Sequence, residues 1–538
     1  MILYLADFAS YLRMNRNINF ALLELFISDW RAGADVISLS RWVYLSIAAL
    51  AVVLVAIHVL FAQPIFRGLE ALLLPEHDSS LFRNRRRALK SSLAIVILLL
   101  GCGVYLRVLS QRAPYNEVLS SDPILSFVRN TSGLYDENYP SFMNKLKEDE
   151  QRCRASYPQG QKFEHKNVVI IMVDSLRADH TQLYGYSRPT TPFLEGLLER
   201  GQLRKVEFAT STCAESSCGI LSTLFSKSLK RQIPEDFKLY DLLHDLGYKT
   251  YLLLSGSHED WENLKEFYGH ETTLYFDGRD SRRYSSADDR LIFEAFERVP
   301  SYAEAPAFFY IHLMSAHLIG IKQDAYRIYQ PSNVKNDWDS LLHSQYDRDT
   351  IKNNYDNGVT QADATIKQIF NVLAQKGYLQ SSIILILADH GEGLGERDRS
   401  GYGHGRMLYQ EFIRIPLLIY DESALKYANL TFATQIDVAP TIVDRLGLAI
   451  PGCWQGASLL NSNIKNFTTH QTVLRNAIYA VLYHTDAAIY KYIYYSVSKK
   501  EELYNLTNDP HEENNLIDVA DPSLLQAMRA ELQRSRSD

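Results

Sequence analysis

Short apolar runs alternate with helical patterns through the middle of this 538-residue chain, and they restrict its fold more than any other feature. The first run, Val168–Val173, is apolar at every position and ends in Asp174, as expected of a strand buried on both faces. A helical pattern with one apolar face covers 359–373. Strands alternating with helices predict a doubly wound α/β domain with a mainly parallel sheet. The other predicted strands are 250–254, 307–313, 382–388 and 415–420.

Two longer apolar runs precede this domain. Residues 42–62 are nearly free of charge over a length that spans a bilayer, and 91–109 form a second, shorter run. A pair of buried core helices is the alternative. The segment between the runs carries five arginines and a lysine, which favours a cytoplasmic loop. We therefore expect a multi-pass membrane protein whose large α/β domain faces outward, to the periplasm or cell exterior.

The same patterns divide the chain into four parts. We predict a membrane anchor over 1–110, a polar neck over 111–165, a catalytic domain over 166–465, and a C-terminal subdomain with its tail over 466–538. The net charge of -7 gives no reason to expect nucleic acid as a partner. Five cysteines are too few for a disulfide framework, although one or two bridges stay open.

Polar residues at the ends of the predicted strands mark the place where ligands collect in such a sheet. Asp174 ends the first strand, and Asp389 and His390 follow another. Burying an Asp-His pair without a partner would cost several kcal/mol, on the order of 2–7 for each polar group. These residues predict one divalent metal ion. The mixed oxygen and nitrogen ligands suit Zn or Mn, whereas Ca or Mg would require more oxygens.

A turn rich in hydroxyl and thiol groups, 210–217, precedes an apolar helical segment. Such groups at a helix N-terminus are well placed as nucleophiles, because the helix dipole and free N–H groups stabilise negative charge. An ordinary N-cap built of small residues is the alternative.

Several segments together resemble the sulfatase-like branch of the alkaline-phosphatase superfamily over residues 165 to 517. They are NVVIIMVDSLRADHTQLYGYSRPTTPFLEGLLERG, ILADHGEGLGE, GHGRMLYQEFIRIPLLIY, IDVAPTIVDRLGL and KYIYYSVSKKEELYNLTNDPHEENNLI. The resemblance implies an alkaline-phosphatase-like fold with a small C-terminal subdomain. It also implies site roles: metal ligands at Asp174, Asp389 and His390, a nucleophile at Cys213 that also contacts the metal, and substrate or leaving-group contacts at His317 and His404.

The chain departs from the sulfatase pattern at two positions. Typical sulfatases convert the cysteine of a Cys-x-Pro-x-Arg motif to formylglycine, but Cys213 is followed by Ala-Glu-Ser-Ser. Ser175 also stands where many sulfatases carry a second Asp. The related membrane-bound phosphoethanolamine and phosphoglycerol transferases use an unmodified Thr, which makes Thr212 the alternative nucleophile.

The expected protein is thus a membrane-anchored, metal-dependent hydrolase or transferase. Its expected substrates are sulfate or phosphate esters of cell-envelope glycans or lipids. One alternative is a phosphoethanolamine or phosphoglycerol transferase with an unmodified Thr or Cys nucleophile. The other is an inactive homologue that binds an anionic glycan or lipid.

Overall fold

A computed structural model describes residues 139–259, 264–269, 271–333, 348–397, 402–422, 426–462, 466–472, 478–496 and 498–537. The two predicted membrane spans, 42–62 and 91–109, lie outside these ranges. Within the ranges, no helix combines the length and the apolar character needed to cross a bilayer.

The centre of the described part is a seven-stranded sheet. Its strands are β1 (Asn167–Val173), β2 (Leu203–Lys205), β4 (Lys249–Leu254), β5 (Leu274–Phe276), β6 (Ala307–Leu313), β7 (Ser382–Leu387) and β11 (Leu417–Asp421). They lie in the order β2-β11-β7-β1-β6-β4-β5. Strand β1 pairs in parallel with β6 and β7, and β4 continues the parallel arrangement. Every residue of β1 is buried, so both faces of the sheet are covered there. The predicted α/β fold with a mainly parallel sheet is confirmed.

One predicted strand, 415–420, is wrong in detail. Pro416 separates β10 (Arg414–Ile415) from β11, and the two strands join different sheets. Proline has no N–H to donate to a ladder, which explains the break. β11 then pairs antiparallel with β7, while β10 pairs with β3 (Phe208–Thr210), which also pairs with β12 (Phe432–Thr434).

Helices cover the sheet and connect its strands. The helix predicted over 359–373 is present but longer, as α7 (Arg348–Gln375). The remaining helices of the catalytic domain are α2 (Pro192–Glu199), α3 (Ser216–Phe225), α4 (Leu239–Asp245), α5 (Leu264–Tyr268), α6 (Leu291–Glu297), α8 (Gln410–Ile413) and α9 (Val438–Arg445). Short 3-10 turns lie at Ala178–His180, Gln182–Tyr184, Leu229–Arg231, Asp324–Tyr326 and Gln435–Asp437, and a two-stranded ribbon joins β8 (Gly393–Leu394) to β9 (Tyr402–Gly403).

A four-stranded antiparallel sheet follows the catalytic domain. It consists of β13 (Phe467–Gln471), β14 (Ile478–His484), β15 (Ile489–Tyr495) and β16 (Glu501–Asn505). Helix α10 (Pro522–Ser537) packs against it, and Met528 and Leu532 share a buried cluster with Tyr492 and Leu503. The antiparallel sheet lies in the segment 466–538, for which the sequence predicted a C-terminal subdomain.

Helix α1 (Tyr139–Ser156) lies inside the segment predicted as a neck. It is bound to the catalytic domain in two ways. Cys153 forms a disulfide with Cys453, and the buried Glu150 accepts hydrogen bonds from Lys227 Nζ and the Phe237 N–H. These contacts, rather than an apolar face of its own, account for the position of the helix.

Candidate active site

Three polar segments meet at one edge of the central sheet because they follow the neighbouring strands β7, β1 and β6. Asp174 comes directly after β1, and Asp389 and His390 follow β7. One ligand atom from each of these three residues lies within 4.8 Å of the others, and all three side chains are buried. The structure thus brings together the three residues that the sequence predicted as metal ligands.

His390 presents its Nε2 atom to this group. Its Nδ1 lies 2.7 Å from the carbonyl oxygen of Gly391, which can only accept a hydrogen bond. The neutral ring therefore carries its proton on Nδ1, and Nε2 offers a lone pair. Nε2 lies 3.5 Å from Asp389 Oδ2 and 3.8 Å from Asp174 Oδ1.

The charges of this group favour a cation. Burial and the nearby Asp389 carboxylate raise the pKa of Asp174 well above its ordinary value. Burial would also raise the pKa of Asp389, but His390 and His312 and backbone N–H donors hold it below the ordinary value. The two carboxylates overcome burial and raise the pKa of His390. Without an ion, a proton on His390 supplies the positive charge that the carboxylates attract.

A divalent metal ion fits these residues. Asp389 Oδ2 is buried and has no hydrogen-bond partner among the described residues. A buried carboxylate oxygen without a donor is costly, and a metal ion would remove that cost. Two carboxylates and an imidazole form a ligand set typical of Zn or Mn. Asp174, Asp389 and His390 are therefore the residues that could hold the ion.

Ser216 lies next to this group at the first residue of α3. Its Oγ is 3.0 Å from His390 Nε2. The first turn of a helix has free N–H groups, and these stabilise negative charge at its N-terminus. Sequence reasoning assigned no role to this residue, although the start of the apolar helical segment was the signal that could have found it.

The two predicted nucleophiles are placed elsewhere. Cys213 is bonded to Cys218, and a half-cystine offers no thiolate to attack an ester or bind a metal. Among the described residues, the group of possible metal ligands consists of Asp174, Asp389 and His390 and does not include Cys213. Thr212 directs its buried Oγ1 to Ser222 Oγ, at 2.6 Å, rather than to His390. Of these neighbouring hydroxyl and thiol groups, it is the Ser216 hydroxyl that contacts His390.

A second group adjoins the first and consists of His317, Glu392 and His404. His404 Nδ1 lies 3.2 Å from Glu392 Oε1, and the rings of His390 and His404 are 4.2 Å apart. Burial lowers the pKa of His317 to about 3, so its imidazole is neutral. Glu392 Oε2 is buried without a hydrogen-bond partner in the described ranges. The two predicted histidines therefore meet, together with a carboxylate that sequence reasoning assigned no role.

Lys322 adds a buried amino group beside the second group. Its Nζ donates to the carbonyl oxygens of His317, at 2.6 Å, and Gly320, at 3.0 Å. Burial lowers its pKa to about 7. His312 Nδ1 lies 3.1 Å from Ser255 O, a hydrogen-bond contact within the core. Its Nε2 nevertheless faces Asp174 Oδ2 at 3.8 Å.

An α/β sheet with buried carboxylates and histidines at its carboxyl edge is the arrangement that the sequence resemblance to the alkaline-phosphatase superfamily implies. A family model described as Sulfatase matches residues 166–448. The chain belongs to the sulfatase family. A second model, N-sulphoglucosamine sulphohydrolase, C-terminal, matches residues 399–538. The resemblance seen in the sequence motifs is confirmed.

The individual relatives fall into two kinds of enzyme. The phosphoethanolamine transferase EptA of Helicobacter pylori is 24% identical over 288 residues, which cover 52% of this chain and 52% of that protein. An N-acetylglucosamine-6-O-sulfatase of Bacteroides thetaiotaomicron is 28% identical over 234 residues, which cover 36% of this chain and 40% of that protein. The chain thus spans about half or less of these relatives' lengths.

A solved structure, described as a complex with its substrate D-glucosamine-2-N,6-O-disulfate, shares the fold. It aligns with a TM-score of 0.54 at 15% identity, and the alignment covers 70% of this chain and 98% of that one. In sequence the chain is therefore similar to both sulfatases and phosphoethanolamine transferases, and in fold it is similar to this solved structure.

Proposed function

We propose that this protein transfers or hydrolyses a phosphate ester through an unmodified serine, Ser216. The observation that carries the proposal is the 3.0 Å contact between Ser216 Oγ and His390 Nε2. It is supported by the disulfide at Cys213, which removes the thiol that a sulfatase would convert to formylglycine. The residues after Ser216 also lack the Pro and Arg of the sulfatase motif.

In the proposed reaction, Ser216 Oγ forms a bond to phosphorus while the bond from phosphorus to the leaving oxygen breaks. The N-terminus of α3 stabilises the negative charge at the attacking end. A divalent ion held by Asp174, Asp389 and His390 would lower the pKa of the serine hydroxyl and neutralise the ester's oxygens. The proton that the Ser216 hydroxyl loses is balanced by the one that the leaving oxygen takes up as it departs. Water or an acceptor hydroxyl then breaks the Oγ–phosphorus bond, and Ser216 regains a proton.

The second group gives the site its remaining polar contacts. His317 and His404 lie beside the first group, where the anionic part or the leaving oxygen of the substrate would bind. Because His317 is neutral, it suits metal ligation or hydrogen bonding better than proton donation. Glu392 and the two histidines form a set of three ligands that could hold a second divalent ion.

The experiment is mass spectrometry of the peptide 206–227 after rapid quenching of the full-length, detergent-solubilised protein with bis(4-nitrophenyl) phosphate. We expect Ser216 to carry a 4-nitrophenyl phosphoryl group and one nitrophenol to be released for each serine modified. The S216A variant should lose both, whereas S217A, its matched control, should keep both.

Formylglycine at Ser216 or Cys213, with faster cleavage of 4-nitrophenyl sulfate, would establish a sulfatase instead. The match of residues 399–538 to a sulphohydrolase C-terminal model favours that second candidate.

We also propose that the catalytic domain lies outside the cytoplasm and acts on a lipid or glycan ester of the cell envelope. The two apolar segments 42–62 and 91–109 support an anchor, and two disulfides are typical of an oxidising compartment. Alkylating intact cells before lysis tests this location. Protected cysteines at 153, 213, 218 and 453 are expected, whereas four alkylated thiols would place the domain in the cytoplasm.

A further inference from the structure

The turn between the two carboxylates of the metal group is built on Ser175. Its φ of 63° lies in the left-handed region, which is unfavourable for a residue with a Cβ. In this conformation the Ser175 N–H donates to Asp389 Oδ1 at 2.9 Å, and its Oγ donates to Asp174 Oδ1 at 2.9 Å. The turn therefore sets the position of one carboxylate relative to the other.

The hydroxyl of Tyr355 holds this turn from outside the metal group. It donates to the carbonyl oxygen of Ser175 at 2.6 Å and accepts the N–H of Arg177 at 2.8 Å. The side chain is only 1% exposed. A single buried hydroxyl thus bonds the backbone at both ends of the strained segment, while it touches neither carboxylate.

Tyr355 projects from α7, which lies against the site along one face. Three residues further on, a Cβ on Gly358 would lie 2.1 Å from the carbonyl oxygen of Ser315. Residues three apart lie on the same side of a helix. The helix therefore contacts both the loop after β1, through Tyr355, and the loop after β6 that leads to His317. A 28-residue helix in direct backbone contact is a rigid support for both loops.

We infer that Tyr355 is a positioning residue for metal binding, acting by holding Ser175 in its left-handed conformation. The inference rests on the proposed function, since it assigns a role toward the ion at Asp174, Asp389 and His390. Removing only the hydroxyl would free the Ser175 carbonyl and let the turn relax to a more favourable φ. The two carboxylates would then lose their shared donor and their fixed separation.

The test is the Mn²⁺ affinity of the full-length protein, freed of ions and titrated in detergent while electron paramagnetic resonance measures the unbound Mn²⁺. Y355F is expected to bind Mn²⁺ about tenfold more weakly than wild type, the lower end of the effect of removing an outer-shell partner. The matched control is Y248F. Tyr248 is also buried, and its hydroxyl donates to the Lys166 carbonyl at 2.9 Å, beside the opposite end of β1. It should keep the wild-type affinity.

A second comparison separates positioning from a general loss of packing. Glycine enters the left-handed region without penalty, so the Tyr355 hydroxyl should matter less when residue 175 is glycine. In the S175G background, Y355F is expected to weaken Mn²⁺ binding by less than threefold. Equal losses in both backgrounds, or an equal loss in Y248F, would overturn the inference.

The same titration distinguishes this inference from the proposed function. Wild-type protein that binds Mn²⁺, together with a Y355F variant of unchanged affinity, would overturn the positioning role alone. Wild-type protein that binds no divalent ion would overturn both.

Discussion

Gly219 of α3 is in backbone contact with Asp389. A Cβ added to Gly219 would lie 2.2 Å from the carbonyl oxygen of Asp389, and that obstacle is backbone that cannot rotate away. The helix that begins at Ser216 therefore lies directly on the metal-binding segment, three residues from the proposed nucleophile. Because Gly219 has no side chain, α3 lies close to Asp389, and this closeness brings Ser216 near His390.

Gly219→Ala should accordingly impair catalysis more than it impairs folding. The helix must move by the better part of an ångström to admit the methyl group, and misplacement of this size can cost about a hundredfold in rate. We expect kcat/KM to fall by roughly that factor. Gly452→Ala is the control, because a Cβ there meets no atom within 4 Å. A G219A enzyme with wild-type kcat/KM would show that the contact does not position Ser216.

The two disulfides should affect different properties, the long-range one mainly stability and the short one mainly activity. Cys153–Cys453 closes a loop of 300 residues, whereas Cys213–Cys218 spans five positions. In the chain-entropy account, losing the long-range bridge should cost more than about 4 kcal/mol of unfolding free energy, and the short one about 2 kcal/mol. Because the short bridge encloses Ser216, C213A/C218A should reduce kcat/KM at least about tenfold. Chemical denaturation and steady-state kinetics of both double variants measure the two effects.

The two bridges have different roles only if the less stable double variant is the more active one. C153A/C453A is expected to be the less stable protein and to keep kcat/KM within about twofold of wild type at low temperature. A larger activity loss in C153A/C453A than in C213A/C218A would contradict the role given to the short bridge.

Gln435 joins the segment before the nucleophile to the metal-binding strand end. Its Nε2 donates to the carbonyl oxygens of Ala388, at 2.8 Å, and Asp389, at 2.6 Å, and its Oε1 accepts the Thr212 N–H at 3.2 Å. Q435E would place a carboxylate against two carbonyl oxygens and leave them without a donor. We expect a loss of about 3 kcal/mol or more in unfolding free energy, measured by chemical denaturation. Q368E, on the exposed part of α7, should stay near wild type.

Much of the fold and the metal group could be predicted from the sequence because the relevant residues are adjacent in the chain. A strand buried on both faces is a continuous apolar run, and Asp174, Asp389 and His390 follow such runs immediately. Because neighbouring parallel strands end at the same edge of the sheet, these residues then lie close together. Glu392 lies in the same motif as His390, so the sequence could also have indicated it as a site residue.

Ser216 and α1 were harder to predict for different physical reasons. The irregular segment before α3 leaves the position of each hydroxyl undetermined, and only the folded chain shows that Cys213 pairs with Cys218 and Thr212 turns to Ser222. Helix α1 is rich in charged and polar residues. Its place depends on the distant partners Cys453 and Lys227, which local pattern does not reveal.

The final prediction concerns Asp363, which caps α2 from the side of α7. Its carboxyl oxygens accept the N–H groups of Phe193, at 2.8 Å, and Leu194, at 3.0 Å. Burial nevertheless raises its pKa from the ordinary 3.8 to about 6. The native state thus binds this proton more tightly than the unfolded chain, so the stabilisation is complete below the unfolded pKa and is lost as the pH rises through the native one. The loss amounts to roughly 3 kcal/mol across that window.

D363N has no such proton to lose. The unfolding free energy of wild type minus that of D363N should therefore fall by roughly 3 kcal/mol between about pH 4 and pH 7, because other titrating groups cancel in the difference. Denaturant titrations of the full-length protein in detergent at several pH values measure it. D324N changes an exposed carboxyl and should give a profile parallel to wild type. A difference between wild type and D363N that stays flat, or that grows with pH, would mean that the Asp363 carboxyl is ionised in the native state throughout this range and that the helix N-terminus outweighs its burial.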